Sequence, residues 1–274
     1  MPSSSAIKQK AKEFLKNNFS AAFAVGFLAL AVQALLLVFT GFIATLCNAT
    51  VGQTVAAVIA AVFGAAAVLF LYLPILLGAV RWFWFSTGGS SVPPAEALHF
   101  FCRTDEYLKA VSLGLKLLIR LVLGALLCYL PALLLTVFSQ PALYERVGLQ
   151  MPYWLGSIWV FKNLFIALGS VALLVFMLRY GVAPVLLINN NKLSTAEALH
   201  LSTVVLKGQI GYTLGFILTL FGWFLLNLLF FPKLYSVPYF LSVYAVYVRE
   251  IITHYNKQAA LRNQTYFPNY RATL

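Results

Sequence analysis

Two segments put a carboxylate and an imidazole one helical turn apart: Glu96-x-x-His99 and Glu197-x-x-His200. Paired Glu-x-x-His helices, joined by two further glutamates, hold a dimetal site in ferritin-like bundles. A plainer account competes with that chemistry. Ser194-x-x-Glu197 has the spacing of a capping box, in which the glutamate serves only the helix end. A weaker third copy, Ala11-Lys-Glu-Phe-Leu-Lys16, also carries Lys16 where the imidazole should be. No metal and no cofactor are expected.

A second constellation is basic. Lys116 and Arg120, four residues apart, share one helix face inside an apolar run. Their setting puts Arg120 about 15 Å from the cytosolic end of its span, where a cation costs roughly 2.5–3.5 kcal/mol to insert. The apolar runs offer no carboxylate to neutralise them. Together with Arg81 and Arg179, expected on the same half, they define a candidate basic pocket for an anionic lipid headgroup or substrate. Alternatively, both side chains reach the interface from a helix that starts later. Catalysis finds no support, since HExxH, GxSxG and Walker patterns are all missing.

The elements that must position these residues are membrane helices. Hydrophobic residues make up 62% of the 274 and charged residues 9%, with a mean hydropathy of +0.88. A soluble domain carries roughly 25% charged residues. Between Lys16 and Arg81 no charged residue occurs, and one span needs about 20 apolar residues. Six spans are expected, near 19–46, 55–80, 110–138, 158–188, 210–231 and 234–252. The fold class is an all-α polytopic bundle forming a single membrane domain over 1–274. A polar turn at 48–54, a loop at 139–157 and a cytosolic tail at 257–274 fall outside the spans.

Net charge is +12, and its distribution sets the orientation. Lys8, Lys10, Lys12, Lys16, Arg81, Arg103, Lys109, Arg179, Lys192, Lys207, Arg249, Lys257, Arg262 and Arg271 fall on one side. Arg146 and Lys233 fall on the other, with Lys162 near that boundary. The rich side is cytosolic by the positive-inside rule, so both termini are inside. Anionic lipid, not nucleic acid, is the partner this charge fits. Cys47, Cys102 and Cys128 are scattered and form no disulfide framework.

Ala95-Glu-Ala-Leu-His99 recurs word for word as Ala196-Glu-Ala-Leu-His200. At the same offset Gly114 falls on Gly215 and Pro131 on Pro232. The chain reads as three pseudo-repeats, near 5–80, 94–188 and 194–256. Each is a short cytosolic amphipathic helix lying in the headgroup layer, followed by a transmembrane hairpin. Ala56, Ala60 and Gly64, and likewise Gly211 and Gly215, form small-residue faces suited to close helix packing.

Tyr180-Gly-Val-Ala-Pro184, Glu197-Ala-Leu199 with Ser202, Leu206-Lys-Gly208, Gly222-Trp223 and Pro238-Tyr239 follow one another in order. Over 179–248 this pattern resembles a bacterial integral membrane family known as domain of unknown function 975; the first half agrees in general plan. The resemblance implies a multi-span protein of a bacterial plasma membrane and supplies no activity. The expected role is non-enzymatic engagement of anionic lipid or a small amphiphile, as scaffold or carrier. A solute transporter or export component is the alternative, and a membrane enzyme with a Glu-x-x-His metal site is a third. Sidedness is testable first. An impermeant thiol reagent on intact cells should label Cys47 and spare Cys102; the reverse pattern would invert the topology.

Overall fold

The computed structural model describes residues 3–140, 158–227 and 229–261. Residues 141–157 of the expected loop and 262–274 of the expected tail, with Arg146, Arg262 and Arg271, lie outside the described residues. The described chain is all-α. Within it, Phe19–Thr50, Gln53–Thr87, Thr104–Phe138 and Ile158–Asn189 are long and apolar enough to cross a membrane. A fifth candidate exists if Thr195–Val205 and Ile210–Leu218, bent by 86°, are taken together. Val38, Leu127 and Phe231 expose 74%, 71% and 81% of their surface. Water penalises apolar surface on this scale; hydrocarbon does not.

Local chemistry sets the helix ends. Helix α1 (Ser4–Asn17) is capped by the Ser3 hydroxyl, which accepts from Ala6 N at 3.3 Å. Helix α2 (Phe19–Val51) continues into the residues expected as a polar turn. The Thr45 and Thr50 hydroxyls donate back to the Gly41 and Leu46 carbonyls, so the helix absorbs their polarity. The turn falls on Gly52, whose φ of +84° a side chain would strain. Helix α3 (Gln53–Ala67) returns beside α2, and a Cβ on Gly64 would lie 3.2 Å from Thr40 Cγ2. The small-residue face on this helix therefore packs within the chain.

A π-helical turn, Val68–Tyr72, leads into α4 (Leu73–Thr87). Pro74 accounts for the irregularity, because it has no amide to offer the carbonyl four residues earlier. That carbonyl, Phe70 O, accepts instead from the Tyr107 hydroxyl at 2.9 Å. A 3₁₀ turn (Pro94–Leu98), α5 (His99–Cys102) and α6 (Thr104–Phe138) follow. The rest are α7 (Ile158–Leu178), α8 (Ala183–Asn189), α9 (Thr195–Val205), α10 (Ile210–Leu218), α11 (Phe221–Leu226) and α12 (Phe230–Leu261).

The chain forms two compact units: Met1–Gly114 with Val182–Leu274, and Leu115–Gly181. In the first, α12 is the central post against which α1, α2 and α4 pack. Tyr239, Val248, Ile251 and Ile252 of α12 are buried, as are Trp82 and Phe83 of α4. The short segments expected to rest on lipid turn their apolar faces into this core. Ile7, Ala11 and Leu15 of α1, Ala97 and Phe100 of the second copy, and Ala198, Leu199 and Val205 of α9 are all buried. Close packing against a helix gives dispersion contacts that a fluid headgroup layer does not match.

The stretch 210–231, expected as one span, is broken between α10 and α11. Thr219 Oγ1 donates to Phe216 O at 2.6 Å, and Leu220 N donates to Ile217 O at 2.9 Å, a 3₁₀ closure. Lys8 Nζ, from α1, donates to Thr219 O at 2.8 Å. A donor from a distant segment stabilises the break. Aromatic pairs still hold the pieces to α12: Phe216 on Tyr247, Trp223 on Tyr239 and Phe224 on Phe240, each at 4.6 Å.

The second unit is an antiparallel hairpin of the later part of α6 and α7. A Cβ on Gly124 would meet the Phe176 ring at 2.9 Å, and one on Gly169 would meet Cys128 O at 2.7 Å. The Tyr129 hydroxyl lies 2.9 Å from Ser170 Oγ.

Backbone proximity in the first unit gives a sharp test. A Cβ on Gly78 would fall 1.8 Å from Ala97 O, a backbone atom that no rotamer change can move. Gly78→Ala should destabilise by about 3 kcal/mol, the upper end for overpacking, read as a lowered melting temperature in detergent. Gly41→Ala, with nothing within 4 Å, should leave the melt unchanged. Equal melts for the two would refute the packing described.

Candidate functional site

In the first unit, polar side chains form a chain across five segments. Arg81 Nε on α4 donates to Glu96 Oε1 at 2.8 Å, and His99 Nδ1 lies 3.1 Å from the same oxygen. His99 Nε2 is 2.6 Å from Glu106 Oε2. Glu106 Oε1 accepts from Asn191 Nδ2 at 3.3 Å, with Arg103 Nη1 at 3.6 Å. Lys109 Nζ donates to Asn191 O at 2.5 Å, which fixes the 190–192 loop against α6. Glu106 is only 8% exposed.

The local sequence makes this geometry. Pro93 and Pro94 open the 3₁₀ turn that carries Glu96. Arg103, extended at φ −134°, separates α5 from α6 and folds the chain back. Glu106, in the first turn of α6, then faces His99. A carboxylate oxygen stands at each ring nitrogen of His99, with Arg81 beside Glu96 and Arg103 beside Glu106. The evident capacity of the arrangement is to hold α4, the 3₁₀ turn, α6 and the 190–192 loop in register. Glu106 and Asn191 were invisible as partners in the sequence, because nothing local announces the fold-back at Arg103.

The second Glu-x-x-His copy does something else. Ser194 N donates to Glu197 Oε2 at 2.8 Å and Glu197 N donates to Ser194 Oγ at 3.2 Å, a complete capping box. Identical words therefore serve an ion-pair chain in one place and a helix end in the other. Among the described residues no group of three or more His, Cys, Asp or Glu converges as a metal would require.

The four cations singled out in the sequence divide between the units. Arg81 belongs to the first and is bonded to Glu96. Lys116, Arg120 and Arg179 belong to the second. There the Arg120 guanidinium lies 5.1 Å from the Tyr180 ring centroid, and its Nη1 donates to Lys116 O at 3.3 Å. Lys116 and Arg120 are half-buried, while Arg179, beside Tyr180, is exposed. The described residues of this unit carry Lys116, Arg120, Lys162 and Arg179 and neither Asp nor Glu.

Two further polar groupings escaped the sequence reading. Arg249 stacks on the Trp84 ring at 4.3 Å and donates Nη2 to Trp84 O at 2.6 Å. The Tyr247 hydroxyl donates to Thr213 Oγ1 at 2.6 Å.

Together these features define a class: an all-α protein with several helices able to cross a membrane and, in its first unit, a partly buried chain of ion pairs. The chain belongs to the family described as Protein of unknown function (DUF975), which it matches over residues 1–255, well beyond the second half that carried the resemblance. No curated protein and no solved structure matches it.

The ion-pair chain predicts energetic coupling. Glu106→Gln keeps the shape and removes one carboxylate, so it should cost about 1–3 kcal/mol. In a double-mutant cycle with His99→Ala the two losses should fall short of additive by at least about 1 kcal/mol. Strict additivity in thermal or denaturant unfolding would mean the contact carries no energy.

Proposed function

We propose that this is a non-enzymatic, multi-pass protein of a bacterial plasma membrane that engages anionic lipid or a small amphiphile at its inner rim. In this reading the chain makes six spans with both termini cytosolic. Positions 210–227 form a bent fifth crossing, and α12 is the sixth. The observation that carries the proposal is the register of the α6–α7 hairpin.

From Arg120 to Phe138, α6 rises about 27 Å, and α7 rises about 31 Å before Arg179 at 1.5 Å per residue. Both lengths match a hydrocarbon core of about 30 Å. The contact between Arg120 and Tyr180 supports one common edge for the two helices. On this reading Arg120 marks the rim, not a position deep in the span, and α6 extends well before it. A hairpin with cations at one edge and no acid of its own among the described residues attracts anionic headgroups, at about 1 kcal/mol per Lys or Arg. Lys116, Arg120 and Arg179 form the lipid-facing set of this reading, while Arg81 is bonded to Glu96 in the other unit.

A carrier or export role is the second reading, and the broken α10–α11 stretch favours it. Interrupted helices with backbone carbonyls turned to side chains are what transporters build sites from. The metal-enzyme reading draws no comparable support, because Glu197 is occupied by its capping box.

Native mass spectrometry of protein extracted in mild detergent tests the lipid role. Lys116→Ala with Arg120→Ala removes two contacts of about 1 kcal/mol each, so phosphatidylglycerol affinity should drop roughly thirtyfold. Unchanged retention of phosphatidylglycerol over phosphatidylcholine, with a native melt, would end the proposal.

A further inference from the structure

The Leu206-Lys-Gly208 motif takes no part in either constellation above. It forms the elbow between α9 and α10, whose axes differ by 86°. Leu206 is buried, Gln209 N closes the turn onto Leu206 O at 3.0 Å, and Gly208 supplies a φ of +81°. The elbow is therefore a built feature with a fixed shape. Beside it lies a dish of about 420 Å³ lined by Lys207, Gly208, Gln209, Tyr212, His254 and Gln258. By contrast, the cavity of about 460 Å³ on the α6–α7 hairpin is lined chiefly by leucine, alanine and valine.

Three properties of the dish point to a ligand of one kind. First, it sits at the N-terminus of α10, where first-turn amides have no carbonyl within the helix and carry partial positive charge. Gly211, in that turn, meets nothing within 4 Å of where a Cβ would be, so the approach is open. Second, Lys207 is exposed and adds a full cation. Glu250, one turn before His254, is already paired to Lys10 at 2.6 Å. Third, Gln209 is 9% exposed, its Nε2 lies 3.4 Å from His254 Nδ1, and its Oε1 has no hydrogen-bond partner. A buried amide oxygen left unpaired is costly; a hydroxyl donor would relieve it.

We propose that this elbow dish binds a phosphoryl group that carries or adjoins a hydroxyl, with Lys207 and the first turn of α10 holding the phosphate and Gln209 receiving the hydroxyl. A phosphoglycerol headgroup and a hydrogen phosphate ion share that chemistry. The site is separate from the Lys116–Arg120–Arg179 rim and does not depend on it.

The test uses the full chain in detergent with two probes, inorganic phosphate and short-chain phosphatidylglycerol, and short-chain phosphatidylcholine as control. Saturable binding of phosphatidylglycerol, displaced by phosphate, assigns the site to headgroups. Saturable binding of phosphate alone assigns it to the free ion. In either case Lys207→Ala should weaken binding about tenfold, on the scale of one charge-assisted contact. Gln209→Glu, which sets an acid in the dish, should abolish binding. Lys116→Ala with Arg120→Ala should remove only the phosphatidylglycerol held at the rim, and Lys207→Ala only the part that inorganic phosphate displaces, which separates the two sites. Binding absent in both arms would overturn the proposal, as would binding unaffected in Lys207→Ala and Gln209→Glu proteins with native melts.

Discussion

A helix end or break leaves backbone carbonyls without an amide, and in hydrocarbon no water takes its place. At several such points a side chain from another segment supplies a donor. The Tyr107 hydroxyl meets Phe70 O where Pro74 interrupts the ladder. Lys8 meets Thr219 O at the break between α10 and α11. Arg249 meets Trp84 O in the last turn of α4, where its charge also faces the negative end of the helix dipole. Lys109 meets Asn191 O, and Trp82 Nε1 meets Val92 O. These contacts tie α1, α4, α6 and α12 to segments that local sequence does not join. The irregular backbone and the tertiary fold are thus one problem with one solution.

That solution uses cations, which changes how the basic residues divide. Lys8, Lys109 and Arg249 read in the sequence as markers of the cytosolic side, and they also hold carbonyls. The acids are concentrated in the same unit: Glu96 and Glu106 in the ion-pair chain, Glu197 in its cap, Glu250 with Lys10. The hairpin of α6 and α7 keeps positive charge without acids among its described residues. The proposed lipid reading leans on this asymmetry more than on any single arginine.

The parts visible in the sequence were those that depend on composition over a window. Long apolar runs read as six spans, of which four coincide with helices long and apolar enough to cross a membrane, and Ser194 with Glu197 announced a cap. What stayed hidden depends on partners far away in the chain. The break near Thr219 relies on Lys8, more than two hundred residues earlier, so 210–231 read as continuous. The role of His99 depends on Glu106, which reaches it only because Arg103 is extended. The spacing in α1 and α9 read as helices resting on lipid, whereas Ile7, Ala11 and Leu15 of α1 and Ala198, Leu199 and Val205 of α9 are buried against protein. Identical Ala-Glu-Ala-Leu-His words met different surroundings, and their chemistry diverged accordingly.

On the proposed reading the exposed apolar faces lie in hydrocarbon with Arg120 at one edge. Spin labels placed singly at Val122, Leu127 and Leu134 on α6, in a cysteine-free background in lipid bilayers, test it directly. Accessibility to oxygen relative to a water-soluble nickel chelate should peak at Leu127 and decline toward both ends. A flat profile with high chelate access at all three positions would place this helix in water and contradict the account.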